Sequence, residues 1–255
     1  VLQDEIVARR AKKELLVMAH LVLGYPSYDE NEKTIAAMAA NGADIIEVQL
    51  PFSEPSDGPV ILRANAAALA GGATTSRCLD FLRRVTALYP ATLFIGMTYL
   101  NVAFARGMDR FVEDAAACRL SGLILPDLPP EEGATFEAAT ARCGVAPIYL
   151  MTPTTPTDRL TFIAQHTRGM VYGVGRKGVT GVKTSMGREV DDQIQRYRRA
   201  TTLPLGLGFG IQSKEDVDHL RGKVDIAILG TKLLTLSDQG GAAAVGAFLA
   251  SFNDR

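Results

Sequence analysis

The chain has 255 residues, 47% of them hydrophobic and 22% charged, with a formal net charge of -1. It is long enough to bury a large core without staples, and its length is ordinary for an α/β barrel. Lys and Arg are scattered among Asp and Glu, so nothing points to a nucleic-acid or anionic-membrane surface, and no apolar run reaches transmembrane length.

Residues 3–13 are polar and helix-prone, and suit a helix closing one end of the fold. Residues 15–23 form a first strand ended by Gly24-Tyr25-Pro26; Ser27 and Asp29 can cap a helix running through Asn41. The second strand covers 45–50. Helices follow over 60–70 and 75–89, parted by Gly71-Gly72. Strand three is 92–97 with a helix over 108–120, strand four 123–125 with a helix over 130–142, and strand five 147–150 with a helix over 156–166. Strand six, 170–174, leads into a Gly/Lys/Thr/Ser stretch up to Gly187 and a helix over 189–200. Strand seven, 204–208, precedes a helix over 213–220; strand eight, 226–229, precedes a last helix over 241–252. Eight strand–helix units with right-handed crossovers imply a parallel sheet closed as a single-domain (β/α)8 TIM barrel, an α/β fold, over residues 1–255 with an extra N-terminal helix. Catalytic groups are then expected at the C-terminal ends of the strands. An open doubly wound sheet is the alternative, but its GxGxxG after the first strand is missing.

The three cysteines, Cys78, Cys118 and Cys143, fall far apart in predicted helices without CxxC or Cys/His spacing. They read as small buried apolar residues, with no metal expected. The odd count, with no leader-like start, fits a reducing cytoplasm. His20, His166 and His219 form no HExxH or triad-like pattern.

Two carboxylates stand out. Glu47 lies inside the apolar run 43–50, where a carboxylate must be hydrogen-bonded, be raised in pKa or face a cavity. Strand alternation puts Ile45, Glu47 and Gln49 on one face and Ile46, Val48 and Leu50 on the other, which suits a layer of helices. Asp57 follows in the proline-punctuated loop Pro51-Phe52-Ser53-Glu54-Pro55-Ser56-Asp57-Gly58-Pro59. The plainer alternative pairs Glu47 with a neighbouring cation and leaves Asp57 a solvated turn residue. Buried strand carboxylates are uncommon enough to favour a catalytic pair.

With so little net charge, a small anionic substrate must be held by local dipoles. Gly206-Leu207-Gly208-Phe209-Gly210-Ile211-Gln212-Ser213 and Ile228-Leu229-Gly230-Thr231-Lys232 end strands seven and eight. Barrels often bind phosphate there, on backbone N–H groups and helix N-termini. Gly178-Val179-Thr180-Gly181 can supply a third side. Arg176 and Lys177, in the stretch 175–187, read as part of a lid, since a long structureless loop in a compact domain is often functional.

The segments GADIIEVQLPFSEPSDGP (42–59), Tyr99 with Asn101, ILPDLPPEE (124–132), GVTG (178–181), GLGFGI (206–211) and ILGT (228–231) together make the chain resemble the tryptophan synthase α subunit family over nearly its whole length. The resemblance implies cleavage of indole-3-glycerol phosphate to indole and glyceraldehyde 3-phosphate, with no cofactor, metal or Schiff base, and a β-subunit partner in an α2β2 assembly. Carried over by motif, Glu47 matches the catalytic acid/base, and Asp57 the carboxylate that holds the indole N–H. Tyr99 falls in a matching substrate-binding segment, and Tyr172 matches a tyrosine near the reacting carbon. Thr180 matches a lid threonine closing onto the aspartate, and Gly181, Phe209, Gly210, Gly230 and Thr231 match the phosphate site.

The chain also departs from the family pattern. His20 and Val22 stand where phenylalanine and threonine are usual, Tyr25 stands where an aspartate precedes the proline, and Lys177 stands at a common serine position. Glu54 replaces an aspartate in a loop one residue shorter. Other readings compete with this lyase: a stand-alone indole-releasing paralogue; an aldolase forming an imine on Lys177, Lys183 or Lys232; and a catalytically silent phosphate-binding regulator. None of those lysines lies in a predicted strand, where it would be desolvated, and both carboxylates are retained.

Overall fold

Short apolar runs at the expected spacing form nine parallel strands in the computed structural model, which describes residues 2–175, 187–208 and 210–252. They are β1 (Leu16–Val22), β2 (Ile45–Gln49), β3 (Leu93–Met97), β4 (Leu120–Ile124), β5 (Ala146–Ile148), β6 (Leu150–Met151), β7 (Val171–Val174), β8 (Leu205–Gly208) and β9 (Ile226–Leu229). Their order is β5-β4-β3-β2-β1-β9-β8-β7-β6. The two ends of that order, β5 and β6, are separated in the chain by Tyr149 alone, so the sheet curls into a nearly closed barrel through the chain itself. Expected strand five is thus one strand interrupted at Tyr149. This side chain joins the outer layer, edge-on to Phe136 with ring centres 6.4 Å apart, and donates to Glu137 at 3.0 Å. Expected strands six, seven and eight are β7, β8 and β9. An open doubly wound sheet is incompatible with neighbouring residues sitting at both of its edges.

Eleven α-helices lie among the described residues: α1 (Leu2–Arg10), α2 (Tyr28–Ala40), α3 (Pro59–Ala70), α4 (Thr75–Leu88), α5 (Leu100–Arg106), α6 (Met108–Ala117), α7 (Ala134–Cys143), α8 (Thr157–His166), α9 (Arg188–Ala200), α10 (Lys214–Leu220) and α11 (Thr231–Ala250). None is long and apolar enough to cross a membrane.

The period of two along each strand sorts the core into two layers. Val17, Ala19, Leu21, Ile46, Val48, Phe94 and Leu123 point outward into the layer shared with the helices. Leu16, Met18, Ile45, Ile95, Ile124, Ile148, Met170, Ile226 and Ile228 fill the interior. Leu2 and Ile6 of α1 join the interior cluster, and the helix is fixed at the N-terminal ends of the strands. There Arg9 donates to the Asp44 carbonyl at 2.9 Å, and Arg10 pairs with Asp225 at 3.1 Å. One mouth of the barrel is therefore stoppered by α1, and only the C-terminal mouth is left for a ligand.

Several elements differ from expectation. The helix expected over 108–120 ends at Ala117; Cys118 caps it, Arg119 turns the chain at φ 59°, and β4 begins at Leu120. A short helix, α5, occupies the connection after β3. The helix expected over 241–252 is preceded by a further helical stretch from Thr231; Gly240 and Gly241, with non-helical φ of -149° and 62°, form the kink that joins the two in α11.

Candidate active site

Glu47 sits in β2 with its side chain turned to the interior and only 4% of its surface exposed. The β1–β2 register sets it directly beside His20, another inward-facing residue, 5% exposed. His20 Nδ1 lies 3.3 Å from Glu47 Oε1, while Glu47 Oε2 has no hydrogen-bond partner among the described residues. Burial works against a charged imidazole, but the charge and hydrogen bond of Glu47, with Asp57 and Gln49 adding to them, raise His20 above its ordinary pKa. Among the described residues, Glu47 is therefore neither free nor paired with Lys or Arg; its neighbour is itself titratable.

Asp57 comes from the loop between β2 and α3. That loop is tied at both ends. Buried Asn65 of α3 accepts the Phe52 N–H at 2.9 Å and the Gln49 amide at 3.4 Å. Tyr99 accepts the Ser56 N–H at 2.7 Å and donates to Asp57 Oδ2 at 3.2 Å, with its ring stacked on Phe52 at 5.0 Å. Burial, and then the charge of Asp57, push the Tyr99 hydroxyl well up, so it remains a donor. The Tyr172 hydroxyl, in β7, is also pushed well up, by burial first and then by the charges of Glu47 and Asp57. The Tyr172 ring leans toward Gly208 of β8, where a Cβ would lie 3.0 Å from its oxygen and crowd it.

These residues line a cavity of about 420 Å³ at the C-terminal mouth. His20, Glu47, Asp57, Tyr99 and Tyr172 stand on one side, and Gly210, Gly230, Thr231 and Lys232 on another, with Met97, Ile124, Leu150, Ile211 and Ile228 as apolar walls. An apolar chamber with a few convergent polar groups suits a small aromatic ligand. The two glycine-rich strand ends differ in what they offer an anion. At α10, Ser213 and Asp216 form a capping box, and Asp216 also takes the Gln212 N–H at 2.8 Å. At α11 the N-cap is Gly230, with no side-chain cap. A helix N-terminus lacking its own cap favours a bound anion, so α11 is the better phosphate seat.

The structure thus gathers Glu47, Asp57, Tyr99, Tyr172, Gly210, Gly230 and Thr231 around one cavity. Thr180, Gly181 and Phe209, with Arg176, Lys177 and Lys183, lie outside the described residues. Lys232 lines the rim, its Nζ 5.5 Å from the centre of the Phe248 ring. Sequence reasoning missed the place of His20 opposite Glu47. The available signal was alternation in the first strand, which puts Leu16, Met18 and His20 on one face. It also missed the helical turn beginning at Thr231. Of the other departures, Val22 packs with Ile61, Ala64 and Leu234, Tyr25 donates to Asp238 at 2.7 Å, and Glu54 is exposed.

The sequence model of a family described as tryptophan synthase alpha chain matches residues 6–245. The tryptophan synthase alpha chain of Syntrophotalea carbinolica is 43% identical over 252 residues, covering 98% of this chain and 99% of that one. That of Desulfotalea psychrophila is 44% identical over 250 residues, covering 97% and 98%. Among solved structures, tryptophan synthase from Mycobacterium tuberculosis superposes with a TM-score of 0.91 at 30% identity, covering 98% of this chain and 96% of that one. The alpha subunit from Legionella pneumophila gives 0.89 at 29% identity, covering 98% and 96%.

Proposed function

This chain belongs to the tryptophan synthase alpha chain family, and from that premise we propose that it is a carbon–carbon lyase converting indole-3-glycerol phosphate to indole and glyceraldehyde 3-phosphate. The observation that carries the reading is Glu47: a carboxyl group buried in a barrel strand, with one oxygen unpartnered among the described residues, lining the same cavity as Asp57.

Retro-aldol cleavage adds a proton to indole C3 and removes the proton from the adjacent glycerol hydroxyl. The bond between C3 and the glycerol carbon then breaks, its electrons return to the ring, and the hydroxyl becomes the aldehyde carbonyl. One carboxyl group that turns between two positions serves both proton transfers and ends as it began, so no other acid or base is consumed. Asp57 accepts the indole N–H and offsets the positive charge that develops on the ring as C3 is protonated. Tyr99 holds Asp57 in place, and Tyr172 stands beside the reacting carbon. Gly210, Gly230 and Thr231 receive the phosphate at the start of α11, with Gly181 and Phe209 completing that site and Thr180 closing over Asp57. No cofactor takes part.

We also propose that residues 1–255 form one barrel domain, acting in the cytoplasm as the α subunit of an α2β2 assembly with a β subunit. The partner reading is supported by Phe104, an aromatic ring 76% exposed on α5, which follows β3 on the same side of the barrel as the cavity mouth. The test is indole release from indole-3-glycerol phosphate by the purified chain, alone and with the β subunit from the same source. Indole formation supports the reading, and its absence under both conditions overturns it.

A further inference from the structure

The reacting carboxyl group is not alone. His20 of β1 is buried beside it, fixed there by the ladder that pairs His20 with Glu47, and its Nδ1 approaches Glu47 Oε1 at 3.3 Å. Its other ring nitrogen, Nε2, is buried without a hydrogen-bond partner among the described residues, and so is Glu47 Oε2. Both residues line the cavity. A histidine with no catalytic use would be an expensive choice there, since an apolar residue would fill the same space without burying a ring nitrogen that has no partner among the described residues.

Resting on the lyase reading above, we propose that His20 is a positioning residue for Glu47 and that the two share one exchangeable proton as an acid–base dyad. In the loaded state the pair carries one proton beyond the neutral imidazole's own N–H, held on Glu47 Oε2 in the reactive form and on the imidazole otherwise. Glu47 delivers a proton to C3 and recovers one from the glycerol hydroxyl, so the dyad ends each turnover with the proton count it began with. The hydrogen bond between Nδ1 and Oε1 fixes the position from which Oε2 meets C3, and it is released when the carboxyl group turns to the glycerol hydroxyl. Coupled groups titrate as a pair, so the dyad keeps its proton to higher pH than a lone carboxyl group would.

The surroundings favour the shared proton. Facing His20 are Glu47 and Gln49 from β2 and Asp57 from the loop after it. Tyr172 of β7 senses both carboxylates, and Lys232 lines the cavity rim. The other neighbouring strand, β9, presents Ile226 and Ile228 to the interior. Two carboxylates near one imidazole raise its pKa despite burial.

Two measurements test this, and the first needs no substrate. The chain has three histidines, so the His20 ring signal can be assigned by its absence from His20→Phe and titrated by NMR. His20 is expected to titrate above about 6.5 in the wild type and to fall by about one pH unit or more in Glu47→Gln, where the carboxylate charge is gone but burial remains. Equal values in the two proteins overturn the dyad, whatever substrate the enzyme takes. The second measurement is the pH profile of kcat. His20→Gln should move the alkaline limb to lower pH by about one unit or more, with kcat on the acidic side within a few-fold of wild type. A uniform loss of kcat with an unmoved limb would show His20 to be structural only. If the chain fails to cleave indole-3-glycerol phosphate while His20 still shifts in Glu47→Gln, the substrate assignment falls and the dyad stands.

Discussion

At the scale of single residues, the proposed mechanism has Glu47 serve as acid and base in one turnover. Glu47→Gln keeps the shape and hydrogen-bonding reach of the side chain but cannot exchange a proton. It is expected to lower kcat by a factor on the order of 10²–10⁴ with substrate affinity within a few-fold. A variant retaining more than about a tenth of wild-type turnover would mean that Glu47 is not the acid/base. The task proposed for Asp57 is electrostatic instead. Asp57→Asn can still accept the indole N–H but no longer offsets positive charge, so its loss of kcat should be smaller than that of Glu47→Gln. The opposite ranking would reverse the two roles. His20 shows where residue-level reading of a sequence stops. Alternation along 45–50 is enough to turn Glu47 inward, but which side chain lies next to it depends on how β1 and β2 are paired, and register is a property of two strands.

The elements that hold these residues can be tested separately from the chemistry. Asn65 of α3 anchors the loop carrying Asp57 by taking the Phe52 N–H, and it is fully buried. Asn65→Ala strands that donor and should cost roughly 1–3 kcal/mol of stability, with kcat falling because Asp57 is held less firmly. An unchanged denaturation midpoint and kcat would show the loop to be fixed by Tyr99 alone. The two glycine-rich strand ends make a contrasting pair. Ser213→Ala removes the cap of α10 and should destabilise the fold by about 1 kcal/mol while leaving KM unchanged, since the phosphate is assigned to α11. A several-fold rise in KM would move the phosphate to α10. That distinction was not legible in the sequence, where both segments read as glycine-rich turns. It needed the capping box at Ser213 and Asp216 and the helix that begins at Thr231, obscured by the Gly240–Gly241 kink. The eight strand–helix units were legible because each buried strand is a short apolar run bounded by turn residues. The break at Tyr149 was not, because it marks the change from pairing with β4 to pairing with β7, and pairing is a property of the neighbouring strands.

At the scale of the whole molecule, the stopper α1 and the open C-terminal mouth make the chain a one-ended vessel. Phe104 stands exposed on that side. In the α2β2 reading, Phe104→Ala should weaken stimulation by the β subunit several-fold while leaving turnover by the lone chain nearly unchanged, because α5 supplies no group to the cavity. Equal stimulation in variant and wild type would place the partner elsewhere. The central claim, that the Glu47 cavity cleaves indole-3-glycerol phosphate, is tested most directly by following indole formation as β subunit is titrated into wild type and Glu47→Gln. The expected result is measurable turnover by the lone wild-type chain, stimulation of about tenfold or more by the partner, and a Glu47→Gln trace near background at every point. Indole formation by Glu47→Gln at wild-type rates, or none by the wild type with partner in excess, would contradict it.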